Sequence, residues 1–347
     1  MINKLFDLFI GIRHRIAAWR ESKAIKSGVV LFLLLFLVTN VVLGVRWSQE
    51  PEPVLLAPLA MESQSDAPLV TGVVTTTALI LVAETLLDKP GGYLSNDMTP
   101  PSVFLDNMPN WEYGALTQVR DLAIVLRNDM SRSQSQSTED PSLAIAAPQL
   151  NFSNDKWIFP ATENQYRIGI EELKKYRKRL SDKGNPQAQF YSRADNLSNW
   201  LALVEKRLGD LSAQLSASVG QRRIDTSLAG DPSATQSTPS AAVQEIKTSW
   251  WKIDDVFYES RGACWALVHF LKAIEHDFRD VLIKKNALVS LRQIIRDLEG
   301  TQEALWSPMV LNGSGFGTFA NHSLVMASYV SRANSAVINL RELLADG

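Results

Sequence analysis

The sequence predicts an all-α protein, with a single N-terminal transmembrane helix followed by a helical bundle in which two related lobes can be traced. Three observations predict this. An uncharged apolar run, GVVLFLLLFLVTNVVLGV, covers Gly28 to Val45. Beyond residue 70, apolar residues recur at three- and four-residue spacing, the period of one face of an α-helix. The strict alternation that marks a half-buried strand is nearly absent.

A helix over the uncharged run is about 27 Å long, close to the thickness of the hydrocarbon layer. Lys26 on one side and Arg46 and Trp47 on the other can reach the headgroups and anchor both ends. Before the run stand Lys4, Arg13, Arg15, Arg20, Lys23 and Lys26 against Asp7 and Glu21, whereas after it Arg46 faces Glu50, Glu52, Glu62 and Asp66. The positive-inside bias therefore places the N-terminus in the cytoplasm and the rest of the chain in the periplasm, across a bacterial inner membrane. A cleaved signal peptide competes with this reading. The apolar core is longer than a usual signal core, however, and Arg-Trp-Ser-Gln-Glu-Pro offers no small-x-small cleavage site, so residues 28–47 are expected to stay as an anchor.

Residues 1–27, in which Leu5, Phe6, Leu8, Phe9, Ile12 and Ile16 alternate with basic residues, read as an amphipathic segment able to lie on anionic lipid, against the plainer reading of a solvated tail. Residues 48–70, with Pro51, Pro53, Pro58 and Pro68, read as an extended tether. The apolar stretch Val70–Leu87 is weighed as a second crossing, but its threonines, Glu84 and the acidic loop before it favour a buried helix.

The 46% hydrophobic content of the 347 residues fills a sizeable core, which argues against disorder. A net charge of -2 lacks the basic excess that neutralises phosphates, so nucleic acid is excluded as a partner. The lone Cys264 allows neither an intramolecular disulfide nor a cysteine-based zinc cluster, and such sparse thiol use fits an oxidising compartment. No cofactor is expected.

Helices are expected near 72–88, 111–130, 162–182, 190–215, 243–257, 262–283, 284–300 and 319–345. The turn-rich Asp88–Pro101 and the polar Ser131–Asp140 interrupt them, and the Ser-, Thr-, Gly- and Pro-rich residues 216–242 read as a flexible linker between lobe 71–215 and lobe 243–347. The stretch from Ser102 can be laid on that from Trp250, pairing Asp106 with Asp254, Gly114-Ala115 with Gly262-Ala263 and Asp129 with Asp277; Ser192–Asp195 later echoes Ser331–Asn334. Any two amphipathic helices align in this way, so both a duplication and a chance match stay open. A duplication would place two similar bundles face to face.

Several stretches carry a family resemblance: LDNMPNWEYGAL, RSQSQSTED, FYSRADNLSNWL, LSASVGQRR, IDDVFYESRGACWALVH, KKNALVSLRQIIRDLE, LWSPMVLNGSGFG and FANHSLVMASYVSRAN. With the GGYLSND loop before them, they resemble the bacterial proteins grouped as domain of unknown function 2333. The resemblance implies an N-terminally anchored envelope protein and supplies no catalytic residues.

Four constellations bear on chemistry. Arg120 and Arg127, seven residues apart on the 111–130 helix, with Arg132, the neighbouring serines and Trp111, offer guanidinium forks for a phosphate or carboxylate ligand. The favoured alternative is that these arginines pair with internal acids such as Asp106, Glu112 or Asp129. Glu112 beside Trp111, with Asp106 as partner, is the best acid for a hydrolase of peptidoglycan or lipid headgroups, since apolar neighbours raise a carboxyl pKa; a helix-entry cap explains the same residues. His269, His276 and Asp280 share the expected polar face of the 262–283 helix, and His276 with Asp280 has the i, i+4 spacing of two metal ligands, yet two ligands make no complete site, so no metal is expected. Asn312–Gly317 lacks the lysine and the preceding strand of a phosphate loop and reads as a turn into the last helix. These readings favour an envelope interaction or scaffold protein, partnered by the lipid bilayer and by an envelope protein or glycan, over a tethered hydrolase or an anion sensor.

Overall fold

The computed structural model describes residues 23–53, 70–133, 138–182, 188–224, 243–307, 309–315 and 317–346; residues 1–22 of the amphipathic segment expected over 1–27 and most of the expected tether lie outside them. Among these residues run ten α-helices: α1 (Lys23–Trp47), α2 (Val73–Asp88), α3 (Asn107–Val125), α4 (Pro141–Leu150), α5 (Thr162–Ser181), α6 (Ala194–Ser216), α7 (Ile253–Asp277), α8 (Arg279–Lys284), α9 (Leu288–Gly300) and α10 (His322–Ala345). The only sheet among them is a two-stranded antiparallel pair, β1 (Gln221–Ile224) with β2 (Val243–Ile246), in the register Gln221 opposite Ile246.

Local chemistry explains some helix ends and a few departures from expectation. Asp140 caps α4 by accepting from the Ser142 and Leu143 amides at 2.9 and 3.2 Å, with Pro141 in the first turn, where its missing N–H costs nothing. The periodicity overlooks α4 because PSLAIAAPQL is apolar nearly all round and contains two prolines. Two helices were expected over 243–257 and 262–283. A single helix, α7, crosses Gly262 unbroken, and residues 243–246 are a strand that starts the second arm of a hairpin. The first residues of the expected 216–242 linker are accordingly ordered, with α6 running to Ser216 and β1 over Gln221–Ile224.

The second apolar stretch is a buried helix. In α2, Thr76, Thr77 and Thr85 return their hydroxyls to the carbonyl four residues back, which hides the polar group inside the helix's own ladder. The Thr75 amide and hydroxyl both donate to Asp277 Oδ2 at 2.7 Å, joining the start of α2 to the end of α7.

The centre of the fold is the pair α3 and α7, the most extensive helix contact. They run in the same direction. Near their starts, Asn110 Nδ2 donates to Asp255 Oδ1 at 2.8 Å; near their ends, the Tyr191 amide donates to the Met130 carbonyl at 2.6 Å while Phe190 packs edge-on against Phe278. Where they cross, a Cβ on Gly114 would lie 1.9 Å from the Glu259 carbonyl oxygen, and one on Gly262 would lie 1.9 Å from that of Trp111. Moving Ser102 onto Trp250, a shift of 148 residues, turns each of these contacts into the other. Such reciprocity is the mark of a twofold-related pair.

The correspondence extends beyond this pair. Helix α2 packs on α5 and α7 as α6 packs on α10 and α3, and α4 pairs with α5 as α9 pairs with α10. Two four-helix repeats result, α2 to α5 and α6, α7, α9 and α10. This moves the boundary expected at 216–242: α6 belongs with α10, and the linker lies inside the second repeat. The echo of Ser192–Asp195 in Ser331–Asn334 fails, because the first stands at the entry of α6 and the second in the middle of α10. The repeats share one hydrophobic core, in which Leu79, Trp111, Trp200, Trp265, Leu291 and Val330 all take part.

Helix α1 is long and apolar enough to cross a membrane. Its last turns are held by the bundle, with Gly44 against Pro101 and Leu105, Trp47 against Gly91, and Glu50 on Arg261. The part of the expected tether that is described is thus docked. Loops 89–106 and 301–321, and the starts of α3 and α7, gather at this α1 end of the bundle.

Candidate functional site

Beside Glu50 the second repeat opens an apolar groove of about 510 Å³, within the range of small-molecule sites. Phe257 and Arg261 of α7 form one wall, the 300–307 segment the other, and His322, Val325, Met326 and Tyr329 of α10 the floor. A Cβ on Gly300 would come 2.5 Å from the Tyr329 ring, so any larger residue here would have to push that ring aside. Arg261 holds the walls together. Its Nε donates to the Glu50 carboxylate at 2.8 and 2.9 Å, its Nη1 donates to the Thr301 and Glu303 carbonyls at 3.0 and 2.9 Å, and its guanidinium lies 5.9 Å from the Phe257 ring centre. His322 Nδ1 accepts from the Leu311 amide at 3.0 Å, and burial lowers the imidazole pKa, so the neutral ring is favoured. Asn321 caps α10 and ties back to Gly313, which places Asn312 and Gly313 at the rim of the helix entry.

Arg261 binds the end of α1 to two loop carbonyls from a nearly sealed position, so Arg261→Ala leaves a carboxylate and two carbonyls without their donor. The expected loss is about 2–4 kcal/mol of unfolding free energy, read from the denaturation midpoint; Arg261→Lys should recover only part of it, since one ammonium cannot reproduce the fork.

The residues singled out from sequence are dispersed. Glu112 is fully buried. It accepts from the Leu94 amide at 2.8 Å and from the Ser95 amide and hydroxyl at 2.8 and 2.5 Å, and it pairs with Lys89, whose side chain is equally sealed and also donates to the Gly92 carbonyl. Burial pushes its carboxyl up while Lys89 and these donors pull it back. No substrate reaches it; it fastens the GGYLS loop. Asp106 is the cap of α3, accepting from the Asn107 amide at 3.0 Å. Trp111 is sealed in the core against Trp265, ring centres 5.1 Å apart, and is no ligand platform.

Arg120 and Arg127 do not act together, because α3 widens into a π-turn over Leu126–Met130 and their heads go to different neighbours. Arg120 donates to the Leu150 and Phe152 carbonyls at 3.1 and 2.6 Å and to Tyr166 Oη at 3.1 Å. Arg127 forks onto Glu139 at 3.0 and 2.7 Å, and Arg132 approaches the same carboxylate at 3.8 Å. The internal pairing weighed as the alternative is what the fold contains, with backbone carbonyls and Glu139 in place of the acids named.

His269 is buried, not on a polar face; its Nδ1 lies 2.7 Å from the Trp265 carbonyl oxygen and its ring stacks on that tryptophan. His276 pairs with Asp277 at 3.2 Å, and this hydrogen bond raises its pKa. Helix α7 ends at Asp277, so Asp280 lies on α8 and the i, i+4 relation is broken. Among the described residues no group of three or more His, Cys, Asp or Glu side chains could hold a metal ion.

Sequence reasoning overlooked Arg261, Tyr329 and Trp306. The usable signal was the exposed tryptophan in LWSPMV, an apolar motif in a loop that cannot bury it.

Fold and site together define an all-α module of two four-helix repeats carried on one membrane-length helix. The chain belongs to the family described as "uncharacterized protein conserved in bacteria", domain of unknown function 2333, whose model matches residues 19–347. No curated protein and no solved structure matches it.

Proposed function

We propose that this protein is an envelope interaction protein: α1 anchors it in the inner membrane with the N-terminus in the cytoplasm, and the periplasmic bundle binds the acyl chain of an amphipathic lipid in the groove beside Glu50. The observation that carries this reading is the place of the groove. An apolar cleft opens within contact of Arg261, which holds the residue three positions beyond the end of α1, so a chain leaving the outer leaflet has a short path into it. Retention of the anchor is supported by Trp47 and Glu50, which a signal cleavage after them would remove from their partners Gly91 and Arg261. The cationic flank of the span supports the orientation. The module is read as a binding unit because its best acid, Glu112, is sealed in a buried pair and its arginines are engaged.

A photoreactive amino acid placed at Val325 on the groove floor, in the full chain in bacterial membranes, tests this. Mass spectrometry is expected to find a lipid adduct at Val325 and none at exposed Val289 outside the groove. A peptide adduct at Val325, or equal lipid adducts at both positions, overturns the assignment.

A further inference from the structure

The tryptophans of the module divide sharply. Trp111, Trp200 and Trp265 are buried in the core, while Trp157, Trp250, Trp251 and Trp306 are exposed. All four exposed ones lie at the α1 end. Trp250 and Trp251 form the 3-10 turn Trp250–Lys252 that leads into α7, and its counterpart in the first repeat is the 3-10 turn Ser102–Phe104 that leads into α3. Since α3 and α7 run parallel, the twofold relation brings both turns to one level. That level is set by α1: Pro101 and Leu105, which bracket the first turn, would lie 3.8 and 3.9 Å from a Cβ at Gly44, one residue before the uncharged run ends.

The remaining exposed aromatics follow the same pattern. Asn96 Nδ2 donates to the Lys156 carbonyl at 2.9 Å, tying the loop that bears Trp157 and Phe159 to the 89–106 loop; Trp306 follows the segment fastened by Arg261. Phe104 is 77% exposed, Trp251 79%, Phe159 94% and Trp306 96%. At the opposite end, the described parts of the loops around 131–140, 182–193 and 278–287 expose no phenylalanine or tryptophan.

From this geometry we infer that the α1 end of the bundle is a membrane-seated foot: the paired turns at Phe104 and at Trp250–Trp251, with the loops bearing Phe159 and Trp306, insert their aromatic side chains into the headgroup region of the bilayer that α1 crosses. Large aromatic rings favour that zone, tryptophan most of all through its indole N–H, and a soluble surface rarely gathers so many at one end. Continuity with the span selects the bilayer as the occupant, because side chains level with Gly44 cannot avoid the lipid surface once the run Gly28–Val45 is immersed. The inference rests on α1 crossing a membrane, but not on the groove holding a lipid.

Nitroxide labels on single introduced cysteines in the full chain, reconstituted in lipid nanodiscs, test the foot. Native Cys264 stays in place, since it is fully buried and burial pushes its thiol up to about 12. Labels at Phe104→Cys, Phe159→Cys and Trp251→Cys are expected to show a ratio of collisions with oxygen to collisions with a water-soluble nickel chelate several-fold above that of Val289→Cys at the far end. Leu35→Cys in α1 reports the span in parallel. If Leu35 is in lipid and the three loop labels match Val289, the foot is wrong and the anchor stands; if Leu35 itself is aqueous, both fall. Loop labels shielded from both quenchers indicate a protein partner on this face and also overturn the inference.

Discussion

Gly262→Ala is expected to destabilise the bundle by about 3 kcal/mol or more, a large share of the total stability of many domains. The added Cβ would meet the Trp111 carbonyl oxygen at 1.9 Å, its carbon at 2.7 Å and its Cα at 3.0 Å. All three are backbone atoms, so no rotamer change relieves the clash, and α3 must move off α7. That movement opens the contact between Trp111 and Trp265 and loosens the packing at the centre of the core. In an isolated helix the same change would gain about 1 kcal/mol, so the sign of the result belongs to the crossing. Gly114→Ala should act alike, its Cβ meeting the Glu259 carbonyl oxygen. Gly209→Ala on α6, whose Cβ would find only the Asn334 side-chain amide at 3.6 Å, should be neutral or stabilising. Thermal and chemical denaturation of the three variants in one detergent decides the matter; equal midpoints for Gly262→Ala and Gly209→Ala would refute the close crossing.

Lys89→Met is expected to cost about 3–5 kcal/mol by leaving the Glu112 carboxylate buried without its counter-charge. Glu112→Leu should cost a similar amount, stranding the Lys89 ammonium and the Leu94 and Ser95 amides. Because each single change removes the same pairing, the double variant should lose clearly less than the sum. The pH dependence has a definite sign. Burial already pushes the Glu112 carboxyl above its ordinary value of 4.5, and loss of Lys89 raises it further. A carboxyl whose folded pKa is raised destabilises fully at pH above that folded value, and the penalty fades as pH falls toward the unfolded value. The deficit of Lys89→Met relative to wild type should therefore shrink on acidification; a deficit independent of pH would mean that Glu112 is neutral in the native protein.

These two sites differ in how far the sequence reveals them. Gly114 and Gly262 align in the internal comparison, yet Gly262 reads as the start of a second helix, although glycine disfavours a helix interior. Only the approach of another backbone explains why it is retained in the middle of α7. Glu112 reads as a possible acid because it sits among apolar residues, and it is indeed desolvated; the lysine that neutralises it lies 23 positions earlier in a turn-rich loop, where no periodicity points at it.

The sequence alone determined most of the helical segments, that one of them is long and apolar enough to cross a membrane, and that the threonine-bearing stretch after it is a core helix. Those properties depend on residues a few positions apart, whose spacing along the chain is their spacing in space. The tertiary structure decided the rest: that α6 joins the second repeat, that Arg120 and Arg127 part company across a π-turn, and that apolar residues from α7, α10 and the loop after α9 enclose a groove at the end where α1 emerges. Periodicity tells which face of a helix is buried but not what it is buried against, and each of these outcomes turns on the partner.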